Sequence, residues 1–269
     1  MYSEKELKNL LLKLNSNVED FELRFTGKSS KKVDGLYKPN EKLILIHNKN
    51  HKTDNELIYT AIHEFAHHVH VTTSGKPVKK QAHTLVFWEI FHKLLNKAEK
   101  KGIYENIFDS DDDFEPINEA ITERLELQAK IMKELGELFI KAMHLCEEKN
   151  VSFEDYTDRF LQINRKDATL VSRISEMNLD NSIGFDNMKI VAREKDPIVR
   201  ANMHNAFKRG DTQEMVKVDF SEKIQKEKAM SRLEYLKSEK ERLEKQVEKD
   251  AEEIKEIERL IEEVKEELK

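Results

Sequence analysis

Cysteine is nearly absent: Cys146 stands alone in 269 residues, which excludes an intrachain disulfide framework and any cysteine-based zinc site within one chain. Turn formers are scarce too. Seven glycines and four prolines are too few for the many tight corners of an all-β sandwich or barrel, so the composition favours helix. No window holds the 18 or more uncharged apolar residues of a membrane span. The N-terminal MYSEKELKNLLLKLN is charged and amphipathic, without the apolar core of a signal peptide. The chain therefore reads as a cytoplasmic protein with no membrane partner. With 38% hydrophobic and 37% charged residues it can bury a core, and its length suits two or three small domains.

Charge is unevenly spread. Residues 1–101 carry 18 Lys+Arg against 12 Asp+Glu, whereas residues 102–150 carry 5 against 13. A second basic stretch, 159–209, has 10 basic and 6 acidic residues. A net charge of −6 thus coexists with two basic segments, so local contact with DNA through residues 159–209 is one expectation and plain solvation the other.

Hydrophobic periodicity divides the chain. Leu7, Leu10, Leu11 and Leu14 form one stripe of an N-terminal helix over residues 1–20. Phe21–Phe25 alternates at period two and Leu43–Ile46 is a short apolar run; Asp34-Gly35 and Lys38-Pro39-Asn40 lie between them as turn signals. A small antiparallel sheet is expected there. Thr53 with Glu56 is a capping box that opens an apolar helix through Leu57, Ile58, Ala61, Ile62, Phe65, Ala66 and Val69. Residues 72–77 break it, and a second helix is expected from about Val78 to Lys100. The expected class is α+β: this sheet packed on two site-bearing helices over 1–110, an all-α module over 115–215, and a coiled coil over 221–269. In the last, Leu233 as heptad position a gives ten apolar residues among twelve a and d positions, with Lys240 and Asp250 as polar intrusions. Self-association as a parallel dimer is expected from that seam, and folding back on the same chain is the rival.

Eight of the ten histidines lie between His47 and His92. Among them is His63-Glu64-Phe65-Ala66-His67. Residues at i and i+4 share a helical face, so His63 and His67 can direct two imidazoles at one cation, and Glu64 beside them suits a general base acting on water that the metal activates. The expected cofactor is Zn²⁺, with Glu64 catalytic. A catalytic zinc takes three protein ligands. His83, in His83-Thr84-Leu85-Val86-Phe87-Trp88, is the first candidate for the third; Glu119 and Glu123, in Asn118-Glu119-Ala120-Ile121-Thr122-Glu123, are the competitors. His47, His68, His70 and His92 read as surface or supporting groups. Tyr59 and Tyr104 are candidates for stabilising a tetrahedral intermediate.

HEFAHHVH, followed after a loop by HTLVFWEIF, resembles the SprT-like zinc metalloproteases over about residues 20–100. The resemblance implies a zincin-like peptidase domain with His63, His67 and His83 as ligands, and a protein or peptide substrate, with a DNA-associated protein as one expectation. The chain departs from the family's pattern at Thr84, where a glycine is usual, and in having no cysteine-rich ribbon. The Asn118–Glu123 pattern resembles gluzincins, including ImmA/IrrE-type regulatory peptidases that cleave a repressor. Segments within 135–216 resemble helix-turn-helix modules of phage and plasmid proteins, which would make Thr169, Ser172 and Arg173 contacts to bases or phosphates. A non-catalytic DNA-binding or scaffolding protein of a mobile element is the alternative from another class.

Overall fold

The computed structural model describes residues 2–74 and 83–267. The N-terminal helix α1 (Glu4–Leu14) begins at a capping box in which Ser3 accepts from the Glu6 backbone N–H and the Glu6 carboxylate accepts from the Ser3 N–H. Its stripe of Leu7, Leu11 and Leu14 is buried. Three strands follow, β1 (Glu22–Phe25), β2 (Gly35–Lys38) and β3 (Leu43–Ile46), then the helices α2 (Asp54–Ser74) and α3 (Leu85–Lys100). Of the expected break at 72–77 and helix start at Val78, residues 75–82 lie outside the described residues.

The sheet is mixed, with order β1-β3-β2, and not antiparallel throughout as expected. β2 pairs antiparallel with β3, while β1 pairs parallel with it, Leu23 opposite Ile44. Burial explains the arrangement. β3 is the most apolar strand, with Leu43, Ile44 and Ile46 buried, so it takes the centre, and the chain crosses to the far edge to lay down β2 before returning.

On this sheet lies α2, capped as the sequence indicates: the Glu56 backbone N–H donates to Thr53 Oγ1 and the Thr53 N–H to the Glu56 carboxylate. Leu57, Ile58, Ala61, Ile62, Phe65, Ala66 and Val69 are all buried. Burying each of the larger of these side chains contributes on the order of 1.5–3 kcal/mol, which anchors the helix firmly beneath the residues it presents.

After α3 come α4 (Ile107–Ser110), α5 (Glu115–Glu148) and α6 (Phe153–Asp155), a π-helical turn at Tyr156–Leu161, then α7 (Arg165–Glu176), α8 (Phe185–Arg193), α9 (Pro197–Lys208), α10 (Gln213–Asp219) and α11 (Glu222–Glu267). The chain forms two compact units. One comprises Met1–Leu94 together with Ser221–Lys269; the other is Leu95–Phe220. In the second unit α7 lies tightly on α5, and a core of Ala129, Ile174, Met188, Val191, Phe207 and neighbours closes it. No described helix is long and apolar enough to cross a membrane.

The root of α11 is fastened to the first unit. Arg232 donates to the Thr72 carbonyl, Tyr235 Oη donates to the Glu19 carboxylate, and Lys42 lies between Glu19 (2.5 Å) and Glu239 (3.9 Å). From Lys240 to Lys265 every residue is exposed.

Candidate metal centre

One turn of α2 brings His63 and His67 to the same face, with ring centroids 5.0 Å apart. His83 arrives from the segment just before α3, where Thr84 serves as the cap: its hydroxyl accepts from the Phe87 N–H at 3.2 Å and its carbonyl from the Trp88 N–H at 3.1 Å. Thr84 therefore fixes the backbone beside His83. The ligand atoms of His63, His67 and His83 all lie within 4.8 Å of one another, and the Nε2 atoms of His63 and His83 are 3.0 Å apart. Two nitrogens bound to one tetrahedral zinc at about 2.0–2.1 Å stand roughly 3.3 Å apart, so this donor set can hold a metal ion with small adjustments.

Phe87 is the floor under the three rings. It is fully buried, stacks on His67 at 4.3 Å and lies 4.7 Å from His83 and 5.1 Å from His63. Burial keeps the His63 and His67 imidazoles neutral, with lone pairs available. His63 is lowered to about 4 by desolvation and then by His83; His67 is lowered to about 3 by desolvation and then by its neighbouring histidines.

Glu64 points into the same cleft and is 7% exposed. Burial pushes its carboxyl up to about 7, partly offset by the backbone N–H of Tyr37, which donates to it. The Tyr37 contact exists because β2 runs very close to α2. A Cβ on Gly35 would lie 2.7 Å from Glu64 Cγ and 3.0 Å from Thr60 Cγ2. Read as half of a turn signal, Gly35 is instead the first residue of a strand, where glycine marks close approach of another element.

A cleft of about 640 Å³ opens over these groups, with His63, Glu64, His67 and His83 in it and Val33, Leu36, Pro39, Tyr59 and Trp88 around its apolar rim. Tyr59 thus lies at the cleft, half-exposed and edge-on to Phe91, whereas Tyr104 belongs to the second unit. Glu119 and Glu123 are exposed residues of α5 in the second unit, and the convergent set among the described residues consists of three histidines of the first.

His68 is not a surface group. It is fully buried, and its Nε2–H donates to the Glu19 carbonyl at 2.9 Å, which leaves Nδ1 to accept from Tyr37 Oη at 3.0 Å. A neutral imidazole thereby ties α2 to β2 and to the segment before β1, and burial lowers its pKa and raises that of Tyr37. Nothing in the spacing of His68 announces this, because both partners are distant in sequence. His47 meets Thr26 Oγ1 at 2.9 Å, and His70 is buried with Thr84 Oγ1 3.5 Å from its Nε2.

In the second unit, the residues singled out as readers of nucleic acid have local partners. Ser172 is buried with its hydroxyl donating to the Ala168 carbonyl, Thr169 donates to the Arg165 carbonyl, and Arg173 donates to the Glu194 carbonyl at 3.0 Å. Lys208 is paired with Asp180 at 2.8 Å and Arg209 with Asp211 at 3.0 Å.

The three-histidine set belongs to a chain that no family model, curated protein or solved structure matches.

Proposed function

We propose that this chain is a zinc-dependent peptidase of SprT-like type that cleaves a protein substrate. The observation that carries the reading is the position of Glu64: a buried carboxylate facing the same cleft as three convergent histidines. A group that only helped to hold a structural ion would have no reason to sit beside the ligands, protonatable near neutrality. When bound, zinc supplies Lewis acidity towards a carbonyl and towards water. The chain's own residues do the rest. His63, His67 and His83 would hold the ion, Phe87 packs against their three rings, and Glu64 would take a proton from the attacking water and return it to the departing amine.

β2 is the edge strand beside the cleft. The His47 N–H donates to the Asp34 carbonyl, so by antiparallel alternation Leu36 and Lys38 also turn their backbone groups to β3, while Gly35 and Tyr37 turn theirs outward. With the Tyr37 N–H on Glu64, the outward edge suits a peptide added in extended form. The excess of basic residues in 1–101 supports an acidic or nucleic-acid-bound substrate.

Metal analysis and proteolysis test this reading together. The zinc-loaded full chain is incubated with an unfolded protein such as reduced casein, with and without single- and double-stranded DNA. Expected results are cleavage by wild type, none by Glu64→Gln at unchanged zinc content, and loss of zinc in His83→Ala. Equal activity of wild type and Glu64→Gln overturns the mechanism. Zinc retained in His83→Ala but lost in Glu119→Ala or Glu123→Ala moves the third ligand to a carboxylate.

A further inference from the structure

The distal part of α11 is a helix with an apolar stripe and nothing packed on it among the described residues. Leu243 is 50% exposed, Val247 67%, Ile254 57%, Ile257 55%, Ile261 50% and Val264 53%. These are the a and d positions of the heptads, and no glycine or proline interrupts the helix. Nearer the root, the bonds to the first unit are made by Arg232, Tyr235 and Glu239, on the g and c positions, and Leu233 and Leu236 stay about half exposed. The seam is therefore open along its length.

The two polar residues in the seam identify the occupant. Lys240 is an a position and Asp250 a d position, ten residues apart. A parallel, in-register pair would set Lys240 against Lys240 and Asp250 against Asp250. It would also align Arg232 with Lys237, Glu239 with Glu244 and Glu253 with Glu258 across its g–e flanks, every charged pair alike. An antiparallel pair sets a against d. With a twofold axis at residue 245, Val247 faces Leu243, Ile254 faces Leu236, Leu233 faces Ile257, and Lys240 faces Asp250 twice over. The flanks keep like pairs here as well, Glu244 beside its own copy and Glu239 beside Glu253, but half as many as in the parallel pair. A slip of one heptad would bury Lys240 against Leu243 or Ile257 with no partner, which costs several kcal/mol per buried ion in a dry seam. Among the described residues these groups make local contacts, Lys240 with Glu244 at 3.5 Å and Asp250 with Gln246 at 2.7 Å.

We infer that α11 is an interface for a second copy of this chain, which pairs with it antiparallel in the one register that places Lys240 opposite Asp250. The contact is isologous, so it closes at two copies. The apolar layers supply the affinity, and the Lys–Asp layers select direction and register.

Sedimentation of the full chain reads the pairing, and exchange of the two charges reads its direction. Lys240→Asp alone places two carboxylates opposite each other at both layers, and Asp250→Lys places two ammoniums there; each should weaken dimerisation at least tenfold, or about 1.4 kcal/mol. Lys240→Asp/Asp250→Lys in one chain restores opposite charges, and dimerisation should return to near the wild-type level. A parallel dimer would respond little to any of the three. In a Cys146→Ser background, Leu243→Cys chains mixed with Val247→Cys chains should cross-link on oxidation, and Leu243→Cys alone should not. A wild-type monomer at about 50 μM, where a dimer of ordinary micromolar affinity would be mostly assembled, overturns the inference. So do single charge variants that dimerise like wild type, or self-cross-linking of Leu243→Cys as fast as the mixture.

Discussion

Burial acts in opposite directions on the two kinds of group in the cleft, raising Glu64 to about 7 and lowering His63 to about 4 and His67 to about 3. The consequences for stability have opposite signs. Glu64 is harder to ionise folded than unfolded, so its contribution is complete below its ordinary value of 4.5 and is lost as pH rises through about 7. The histidines are harder to protonate folded than unfolded. Their contribution is complete above 6.5 and is lost as pH falls towards 4. Metal-free Glu64→Gln should consequently melt several degrees above metal-free wild type at pH 8, a difference on the order of 2–3 kcal/mol, and equal to it at pH 4.5. Thermal melts of both proteins at the two pH values check this; a variant less stable than wild type at pH 8 would mean that the folded carboxylate is well solvated. Gly35→Ala tests the same side chain by contact. With a methyl 2.7 Å from its Cγ, Glu64 must shift, so kcat on the protein substrate should fall at least tenfold while the three histidines keep their zinc. His63, Glu64 and His67 were legible in the sequence because helical geometry alone sets their relation. Phe87, Gly35 and His68 were not, since each acts through a neighbour from another element.

Elements with local signals follow their sequence closely. The capping box at Thr53–Glu56 and the apolar positions of α2 are local, and both appear as read. The capping box at Ser3 and Glu6 carries the same signature and confines α1 to Glu4–Leu14 within the expected 1–20. Strand pairing is different. Four-residue strands carry a period but no address, so the parallel pairing of β1 with β3 depends on which strand is apolar enough for the centre. Helix contact in the second unit rests on another unannounced glycine. A Cβ on Gly136 of α5 would stand 2.5 Å from the backbone oxygen of Val171 in α7, which cannot swing aside as a side chain could. Gly136→Ala should therefore destabilise this unit by about 1–3 kcal/mol in spite of alanine's better helix propensity, read as an earlier transition in chemical denaturation of the full chain. Arg173→Ala removes one of the two guanidinium donors on the Glu194 carbonyl, which Arg200 also reaches, and should cost about 1 kcal/mol in the same measurement.

The first unit is made from the two ends of the chain, with the second unit formed by the stretch between them. The heptads of α11 could be read in advance because a seam repeats every seven residues. Its fastening to Glu19, Lys42 and Thr72 could not, because Arg232, Tyr235 and Glu239 look like ordinary flanking residues of a coiled coil. Tyr235→Phe should weaken that fastening by about 1 kcal/mol, measured as faster amide exchange in residues around Glu19 and Thr72; unchanged exchange would show that the root of the helix adds nothing to the unit. The discontinuity also sets an order in time. On a ribosome adding about 5–20 residues each second, His83 is made roughly 7–30 seconds before Arg232. All three histidines and Glu64 are thus present in the nascent chain while the helix that braces their unit is still unwritten, and the candidate metal site of this protein begins its existence without the clasp that later fastens Glu19, Lys42 and Thr72.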